Sequence, residues 1–231
     1  LVNEVRERHA RDNLQHENQA HNIPDEFYHE LMDAFDSHGI GFYIARADAE
    51  KLGAKLMRDG TVDVLVTDDG DALAFGAKRL LRNLFRCGKS GMQFVDLAAV
   101  LDCLAVTQDQ FVDVCIMCGC DYTESRGIPS LGPAKALELM RKHGSLLAYL
   151  DSLEWQAKAA WLARSPRYQD FSLATFQHDL ARSMFVDDTN QVAYASKTID
   201  PGAAPIPTNV RHIFAPPGEP ATADAAAAGE A

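Results

Sequence analysis

Residues 62–76 read VDVLVTDDGDALAFG, and this stretch decides the predicted fold. Its first part, residues 62–66, is apolar and mostly β-branched except for Asp63, and it passes directly into the acidic TDDGD turn of residues 67–71. Short apolar runs bounded by turn signals are typical of buried strands in a parallel sheet. Ligands of open α/β sheets bind at the carboxyl ends of such strands. The stretch therefore predicts a strand with a candidate site directly after it.

Three carboxylates are concentrated in this turn, those of Asp68, Asp69 and Asp71. Like charges at this spacing repel each other, and a divalent cation commonly relieves the repulsion in proteins. The alternative is a solvated acidic turn, which is the more common structure for a DDGD segment considered alone. The prediction of a metal site therefore depends on acidic residues elsewhere in the chain.

A second acidic cluster follows an earlier strand-like segment, IGFYIA at residues 40–45. Asp48 and Glu50 come next and open a predicted helix. Asp is a favoured N-cap and carboxylates suit a first helical turn, so capping alone can account for both residues. The order strand, helix, strand predicts two parallel strands with a right-handed crossover. Both strand ends would then lie at one sheet edge, where Asp48 and Glu50 converge with Asp69 and Asp71.

Length and composition are those of an ordinary globular protein, with 231 residues of which 47% are hydrophobic. No apolar run has the length that a membrane span requires. The five cysteines are an odd number and lie mostly in apolar stretches, which predicts reduced thiols in a nuclear or otherwise intracellular protein. Cys115, Cys118 and Cys120 lack a second Cys or His pair at zinc-site spacing, and we interpret them as core thiols.

The net charge of −11 argues against a broadly basic nucleic-acid surface, but a local basic patch is predicted at about residues 119–144. Here Asp121 follows an apolar helix predicted over 108–119, and a glycine-containing turn leads into a helix predicted over 133–143. Hairpins of this kind present backbone N–H groups and a helix N-terminus to a phosphate. The alternative is an ordinary helix–turn–helix corner of the core. The positive charges of the patch are those of Arg126, Lys135, Arg141 and Lys142.

Three parts of the chain are predicted: a polar connector at 1–22, a core at 23–188, and a low-complexity, disordered tail at 189–231. Within the core, residues 78–85 are predicted as a further strand and residues 172–185 as one helix. The first residue is not Met, and the polar connector does not have the pattern of a signal peptide. We therefore expect the chain to be a fragment whose upstream part is missing.

Four blocks, in this order along the chain, resemble the flap endonuclease and XPG-type family of structure-specific 5′-nucleases. Residues 45–50 (ARADAE) are similar to the family's A-P-x-E-A-E block, and residues 66–76 to its T-E-D-x-D…L-x-F-G block. Residues 111–122 are similar to its helix ending in G-x-D-Y, and residues 127–136 to its G-I-x-x-x-G-x-x-x-A hairpin. The resemblance covers about residues 24–188. It implies an α/β fold, a twisted parallel sheet flanked by helices in a PIN-like nuclease core, with a helical DNA-binding hairpin.

The resemblance also implies an activity, the two-metal hydrolysis of phosphodiester bonds in DNA replication or repair. The ions would be Mg²⁺, for which Mn²⁺ can substitute. Asp48 and Glu50 would hold one ion, partly through water. Asp69 and Asp71 would bridge to the second ion, and Asp121 would complete its site. Asp48 departs from the family pattern, which usually has the longer Glu at this place.

In the hairpin, the resemblance implies that Gly127, Gly132 and Lys135 hold duplex phosphates and that backbone carbonyls bind a K⁺ ion. The implied partner is flap, branched or nicked duplex DNA. A sliding-clamp partner stays open, although the tail contains no Q-x-x-[LI]-x-x-F-F motif. We expect the family's N-terminal block, with further aspartates and the helical arch, to lie upstream of this sequence. The alternatives are a non-catalytic DNA-binding fragment of the family, and a metal-sensing or small-phosphatase domain that needs no hairpin.

Overall fold

The computed structural model describes residues 24–84, 91–123, 125, 127–186 and 191–200, which divide into two compact units. The larger unit contains the described residues between Asp48 and Gln191, and the smaller contains residues 24–47 and 192–200. The predicted connector and the chain beyond residue 200 lie outside the described residues. No helix in the described ranges combines the length and apolar character needed to cross a membrane.

In the described part of the chain, helices and strands alternate at first, and a run of consecutive helices follows. The strands there are β1 (Tyr43–Ala45), β2 (Leu65–Val66), β3 (Arg79–Arg82), β4 (Gln93–Asp96) and β5 (Val192–Ala195). The first helices are α1 (Asp25–Ser37), α2 (Ala49–Arg58), α3 (Asp71–Ala74), α4 (Leu97–Leu104) and α5 (Gln108–Cys118). They are followed by α6 (Pro133–His143), α7 (Leu146–Leu150), α8 (Leu153–Arg164), α9 (Leu173–Phe176) and α10 (His178–Val186).

The smaller unit is held by the antiparallel pairing of β1 with β5. Its buried cluster contains Met32, Ile44 and Tyr194, and the ring of Tyr194 lies 5.8 Å from that of Phe42. This pairing corrects two predictions. Strand β1 was expected to lie parallel to the strand at 62–66, but its partner among the described residues is β5. The tail was expected to begin at residue 189, but Val192–Ala195 forms that partner strand.

In the larger unit, β2, β3 and β4 form a three-stranded sheet in that order. Strands β2 and β3 are parallel, with the short helix α3 between them in the chain, whereas β3 and β4 are antiparallel. The buried strand predicted at 62–66 is reduced to Leu65–Val66, with Val66 exposed, and its parallel partner is the strand predicted at 78–85. Leu80 in β3 is fully buried, so the middle strand anchors the acidic turn to the core.

The core of the larger unit surrounds α5, whose residues Ile116 and Met117 are fully buried. A capping box between Thr107 and Gln110 starts this helix. The connection from α5 to α6 packs tightly on the C-terminal end of α5. Gly127 has a φ of +91°, and a Cβ atom at this position would lie only 2.5 Å from the backbone nitrogen of Gly119. The close approach and the left-handed backbone both require glycine here.

Candidate active site

Asp48 occupies the N-cap of α2 and uses both carboxylate oxygens. Its Oδ1 accepts a hydrogen bond from the Glu50 backbone N–H at 3.1 Å, and its Oδ2 accepts one from the Tyr122 hydroxyl at 2.8 Å. The capping role offered by the sequence is thus present in the fold. A carboxylate oxygen has two lone pairs, so each oxygen of Asp48 retains one for a further ligand.

A chain of hydrogen bonds joins Glu50 to the acidic turn after β2. The Thr67 hydroxyl donates to Oε1 of Glu50 at 3.0 Å and accepts from the Asp69 backbone N–H at 3.1 Å. Oδ1 of Asp69 then accepts from the Asp71 backbone N–H at 2.9 Å. The two acidic segments that the sequence placed at one edge are therefore connected directly.

Asp71 begins α3, and its carboxylate is half-buried. Burial raises its pKa most, and the negative charges of Asp69, Asp121, Asp48 and Glu50 raise the pKa further. From the residues that the structure describes, the Asp71 carboxylate accepts no hydrogen bond. The five predicted carboxylates, which we call the acidic site, are therefore close enough for their charges to interact.

The donor chemistry of the acidic site fits a hard divalent cation. All five side chains offer carboxylate oxygens, the ligands that Mg²⁺ and Mn²⁺ prefer. A cation would also offset the mutual repulsion that raises the pKa of Asp71. Within the described ranges, no three acidic, His or Cys side chains converge into a ready-made metal cluster. Ligation would therefore include water molecules, which Mg²⁺ commonly retains in proteins.

Asp68, the remaining carboxylate of the turn, has a structural role. Its Oδ1 accepts from the Asn83 backbone N–H at 2.7 Å, and its carbonyl oxygen accepts from the Arg82 guanidinium at 2.6 Å. These bonds join the ends of β2 and β3. Asp68 therefore stabilises the turn from the side of β3 and is not part of the acidic site.

The thiols of Cys115, Cys118 and Cys120 are free and half-buried, and they pack against the core of the larger unit. Burial and the nearby Asp71 charge raise the pKa of Cys115 to about 12. A thiol with such a pKa is protonated at neutral pH and is a poor nucleophile. These side chains therefore contribute packing next to the acidic site.

Both lysines predicted to bind DNA are exposed but already paired. Lys135 donates to Glu138 at 2.7 Å and also lies 4.0 Å from Glu154. Lys142 donates to the same Glu154 at 2.6 Å, and this bond is the main reason that the pKa of Glu154 is lowered. A phosphate at this surface would compete with Glu154 for both lysines.

The other hairpin residues differ in their accessibility. Arg141 is exposed and donates to the carbonyl oxygen of Leu104 from Nε at 3.1 Å and from Nη2 at 2.5 Å. Gly132 is exposed at the N-cap of α6, whereas Gly127 is buried against α5. Arg126 lies outside the described residues. The surface of the hairpin therefore presents Gly132, Lys135, Arg141 and Lys142.

Three residues of this region were not identified from the sequence as parts of a site: Thr67, Tyr122 and Glu154. Thr67 and Tyr122 lie inside the T-D-D-G-D and G-x-D-Y blocks, so their proximity to the acidic residues was a usable signal. Glu154 lies on α8 and has no local pattern that connects it to the hairpin lysines.

Comparison with known sequences finds similarity in the region that contains the acidic site. The family model described as XPG I-region matches residues 39–121, a range that includes the whole acidic site. Flap endonuclease 1 of Methanothrix thermoacetophila is 36% identical over 142 residues, which cover 57% of this chain and 42% of the relative. Flap endonuclease 1 of Ostreococcus lucimarinus is 33% identical over 171 residues, which cover 73% of this chain and 41% of the relative. The chain thus spans about two-fifths of the length of these relatives.

Solved structures show the same fold. Flap endonuclease-1 from Methanococcus jannaschii aligns with a TM-score of 0.52 at 22% identity, over 76% of this chain and 49% of that chain. The catalytic core of Rad2 in complex with DNA substrate aligns with a TM-score of 0.58 at 21% identity, over 74% of this chain and 60% of that chain. These likenesses confirm the predicted α/β fold of a PIN-like nuclease core. Sequence and structure together support a nuclease of the XPG and flap endonuclease type, of whose core this chain carries a part.

Proposed function

We propose that this chain belongs to a structure-specific 5′-nuclease that hydrolyses phosphodiester bonds at flaps, branches or nicks in DNA during replication or repair. The observation that carries the proposal is the environment of Asp71. Its half-buried carboxylate lies among four others whose charges raise its pKa. Such an arrangement costs folding free energy unless a cation binds, and it is typical of functional sites. The names of the relatives, flap endonucleases, agree with a nuclease.

The proposed cofactor is a pair of Mg²⁺ ions, with Mn²⁺ as a substitute. Asp48 and Glu50 would hold one ion, and Asp69, Asp71 and Asp121 the other. When bound, two such ions activate a water molecule and stabilise the leaving oxygen of the phosphodiester. The chain's own contribution is orientation, because hydrogen bonds fix the carboxylates of Asp48, Glu50 and Asp69 before any ion arrives.

The proposed DNA-binding surface is the hairpin formed by the turn after α5 and by α6. Gly132 and Pro133 open α6, so the first-turn backbone N–H groups of this helix are available to a phosphate. Lys135 stands exposed one turn along the same helix. Backbone carbonyls of the hairpin are the proposed ligands of a K⁺ ion. The hairpin would thus hold phosphates of the duplex other than the one that is cleaved at the acidic site.

Cleavage of a 5′-flap substrate in Mg²⁺ tests the catalytic part of this proposal. We expect Asp71→Asn to lower the cleavage rate at least about 100-fold, because metal ions stabilise the transition state by several kcal/mol. Duplex affinity should change by less than about twofold, since the hairpin is untouched. The matched control is Asp102→Asn, which neutralises an exposed carboxylate on α4 and should leave cleavage unchanged.

Two outcomes would overturn the nuclease proposal. One is an Asp71→Asn chain that cleaves at the rate of the parent. The other is a parent chain that binds the flap tightly and never cleaves it in Mg²⁺ or Mn²⁺. The second outcome would favour the alternative function, a DNA-binding fragment without catalysis.

The salt dependence of duplex binding tests the hairpin separately. We expect Lys135→Ala to weaken binding and to reduce the slope of log affinity against log salt by about one, because one fewer phosphate is neutralised. Lys55→Ala is the matched control, since Lys55 is a partly exposed lysine that is also paired with a nearby carboxylate, that of Asp59 at the end of α2. Identical slopes for Lys135→Ala and the parent chain would reject the hairpin as the DNA-binding surface.

A further inference from the structure

We propose that Tyr122 is a positioning residue, which fixes the orientation of the Asp48 carboxylate and thereby sets the affinity of the acidic site for a divalent cation. The inference deepens the proposed function and rests on the metal site described there. Tyr122 itself would not touch the ion or the substrate. It acts through the carboxylate to which its hydroxyl donates.

The first argument is the geometry at Asp48. Its two oxygens are held by donors from different parts of the chain, Oδ2 by the Tyr122 hydroxyl at 2.8 Å and Oδ1 by the Glu50 backbone N–H at 3.1 Å. With only one donor the carboxylate could still rotate about its Cβ–Cγ bond, since this terminal torsion is soft. Two donors on opposite oxygens remove that rotation. The remaining lone pairs of Asp48 then have a fixed direction.

The second argument is that the tyrosine ring is itself held in place. It makes an edge contact with Phe185, with centroids 5.3 Å apart and planes at 82°, and a second with Phe75 at 6.4 Å and 63°. Both phenylalanines are buried. Edge-to-face packing of this kind restricts ring motion. The hydroxyl therefore presents its proton to Asp48 from a rigid support.

The third argument is the backbone around Tyr122. Thr123 closes a turn at the end of α5, because its backbone N–H and its hydroxyl both donate to the carbonyl of Cys120, at 3.2 and 3.0 Å. This turn places two adjacent residues at the acidic site, the carboxylate of Asp121 and the hydroxyl of Tyr122. One dipeptide thus supplies a candidate ligand and the group that orients another ligand.

Residues that orient metal ligands typically change affinity by about 10–100-fold when they are removed. We therefore expect Tyr122→Phe, which removes one oxygen and keeps the ring, to weaken Mn²⁺ binding about tenfold. Titration calorimetry with Mn²⁺ alone, on the full chain and without DNA, measures this. Tyr168→Phe is the matched control, because the Tyr168 hydroxyl is also hydrogen-bonded, to Ser130 at 2.6 Å, and not to a carboxylate. Its Mn²⁺ affinity should equal that of the parent.

A double-variant comparison separates positioning from general destabilisation. Asp48→Asn keeps an oxygen for the helix cap and loses the charge, so it should weaken Mn²⁺ binding by itself. Adding Tyr122→Phe to Asp48→Asn should then have no further effect, because the oriented carboxylate is already gone. An undiminished effect of Tyr122→Phe in the Asp48→Asn chain would mean a structural role and would overturn the proposal.

The remaining outcomes distinguish this inference from the proposed function. If Asp48→Asn weakens Mn²⁺ binding while Tyr122→Phe matches the parent, the positioning role is wrong and the metal site stands. If Asp48→Asn binds Mn²⁺ as the parent does, Asp48 is not a ligand, and the metal assignment fails at that residue together with the inference. Thermal unfolding followed by circular dichroism establishes that each variant is folded.

Discussion

Arg182 on α10 donates a hydrogen bond to Oδ1 of Asp113, a buried carboxylate in the middle of α5. The backbone N–H of Leu146, at the start of α7, donates to the other oxygen at 2.9 Å. Burial raises the pKa of Asp113, while these two bonds act in the opposite direction. The carboxylate therefore joins three helices and is stable in its ionised form only because both donors are present.

We expect Arg182→Met to destabilise the chain by about 2 kcal/mol at pH 7, because a buried charge loses its partner. The pKa of Asp113 is higher in the folded chain than its ordinary value of 3.8. Between these two pKa values the folded state holds a proton that the unfolded state has released, so the free energy of unfolding falls as the pH rises through this range. Without Arg182 the folded pKa rises further. The destabilisation should therefore be smaller at pH 4.5 than at pH 7, as measured by urea unfolding.

The control for this prediction is Asp113→Asn in the Arg182→Met background. The amide oxygen can still accept from Leu146, but residue 113 no longer titrates. The additional pH dependence should disappear in this double variant. An equal cost of Arg182→Met at both pH values would contradict the assignment to Asp113.

Gly127 should be among the least replaceable residues of the hairpin. A Cβ atom there would lie 2.5 Å from the backbone nitrogen of Gly119, and the φ of +91° is unfavourable for any other residue. We expect Gly127→Ala to lower the free energy of unfolding by about 3 kcal/mol. The control is Gly132→Ala, at a φ of −97° with open space around the added atom, which should cost less than about 0.5 kcal/mol. Similar costs for both variants would contradict the tight packing of the hairpin on α5.

Thr67 should influence the acidic site through its hydroxyl alone. We expect Thr67→Val to weaken Mn²⁺ binding by about tenfold, because Glu50 loses a donor and the Asp69 backbone loses an acceptor. Thr67→Ser keeps the hydroxyl and should bind Mn²⁺ within about twofold of the parent, so calorimetry on the pair isolates one oxygen atom. Equal affinities for the Val and Ser variants would show that the Thr67 hydroxyl does not orient the site.

Glu154 should act as an internal competitor of DNA. We expect Glu154→Gln to tighten duplex binding about threefold and to steepen its salt dependence, because Lys135 and Lys142 both lose a carboxylate partner. Asp59→Asn is the comparison, since it frees Lys55, which belongs to α2 and not to the hairpin. Fluorescence anisotropy at several salt concentrations measures both effects. Equal changes in the two variants would argue for a general charge effect in place of competition at the hairpin.

The helices could be predicted where an apolar stripe coincides with a local cap. The ends of α5 and α6 agree with the predicted ranges 108–119 and 133–143, because the Thr107 capping box and the αL Gly144 are both encoded nearby. The helix predicted at 172–185 is divided in the structure, because Gln177 adopts a left-handed backbone that periodicity does not reveal. The partner of β1 also escaped prediction, since strand pairing depends on distant segments.

In the candidate site, the convergence of acidic residues was predicted from chain order, and the charges of these residues do act together on Asp71. The structural cause of the convergence differs from the predicted one. The parallel strands are β2 and β3, and a hydrogen bond from Thr67 to Glu50 connects the two acidic segments. The neutralisation of Lys142 by Glu154 was not predictable from local sequence. It depends on the position of α8 relative to α6, which the spacing of residues within one helix does not predict.

The N-cap role of Asp48 has a consequence for natural variation in this family. A descendant that lost catalysis would still be selected to keep a capping side chain such as Asp or Asn at position 48, because the start of α2 depends on it. Asp69 would be retained for a similar reason, since it holds the backbone at Asp71. Asp71 is different, because its side chain contributes repulsion and no hydrogen bond within the described residues. Under the proposed function, position 71 is therefore where we expect a loss of activity to be visible first among orthologues.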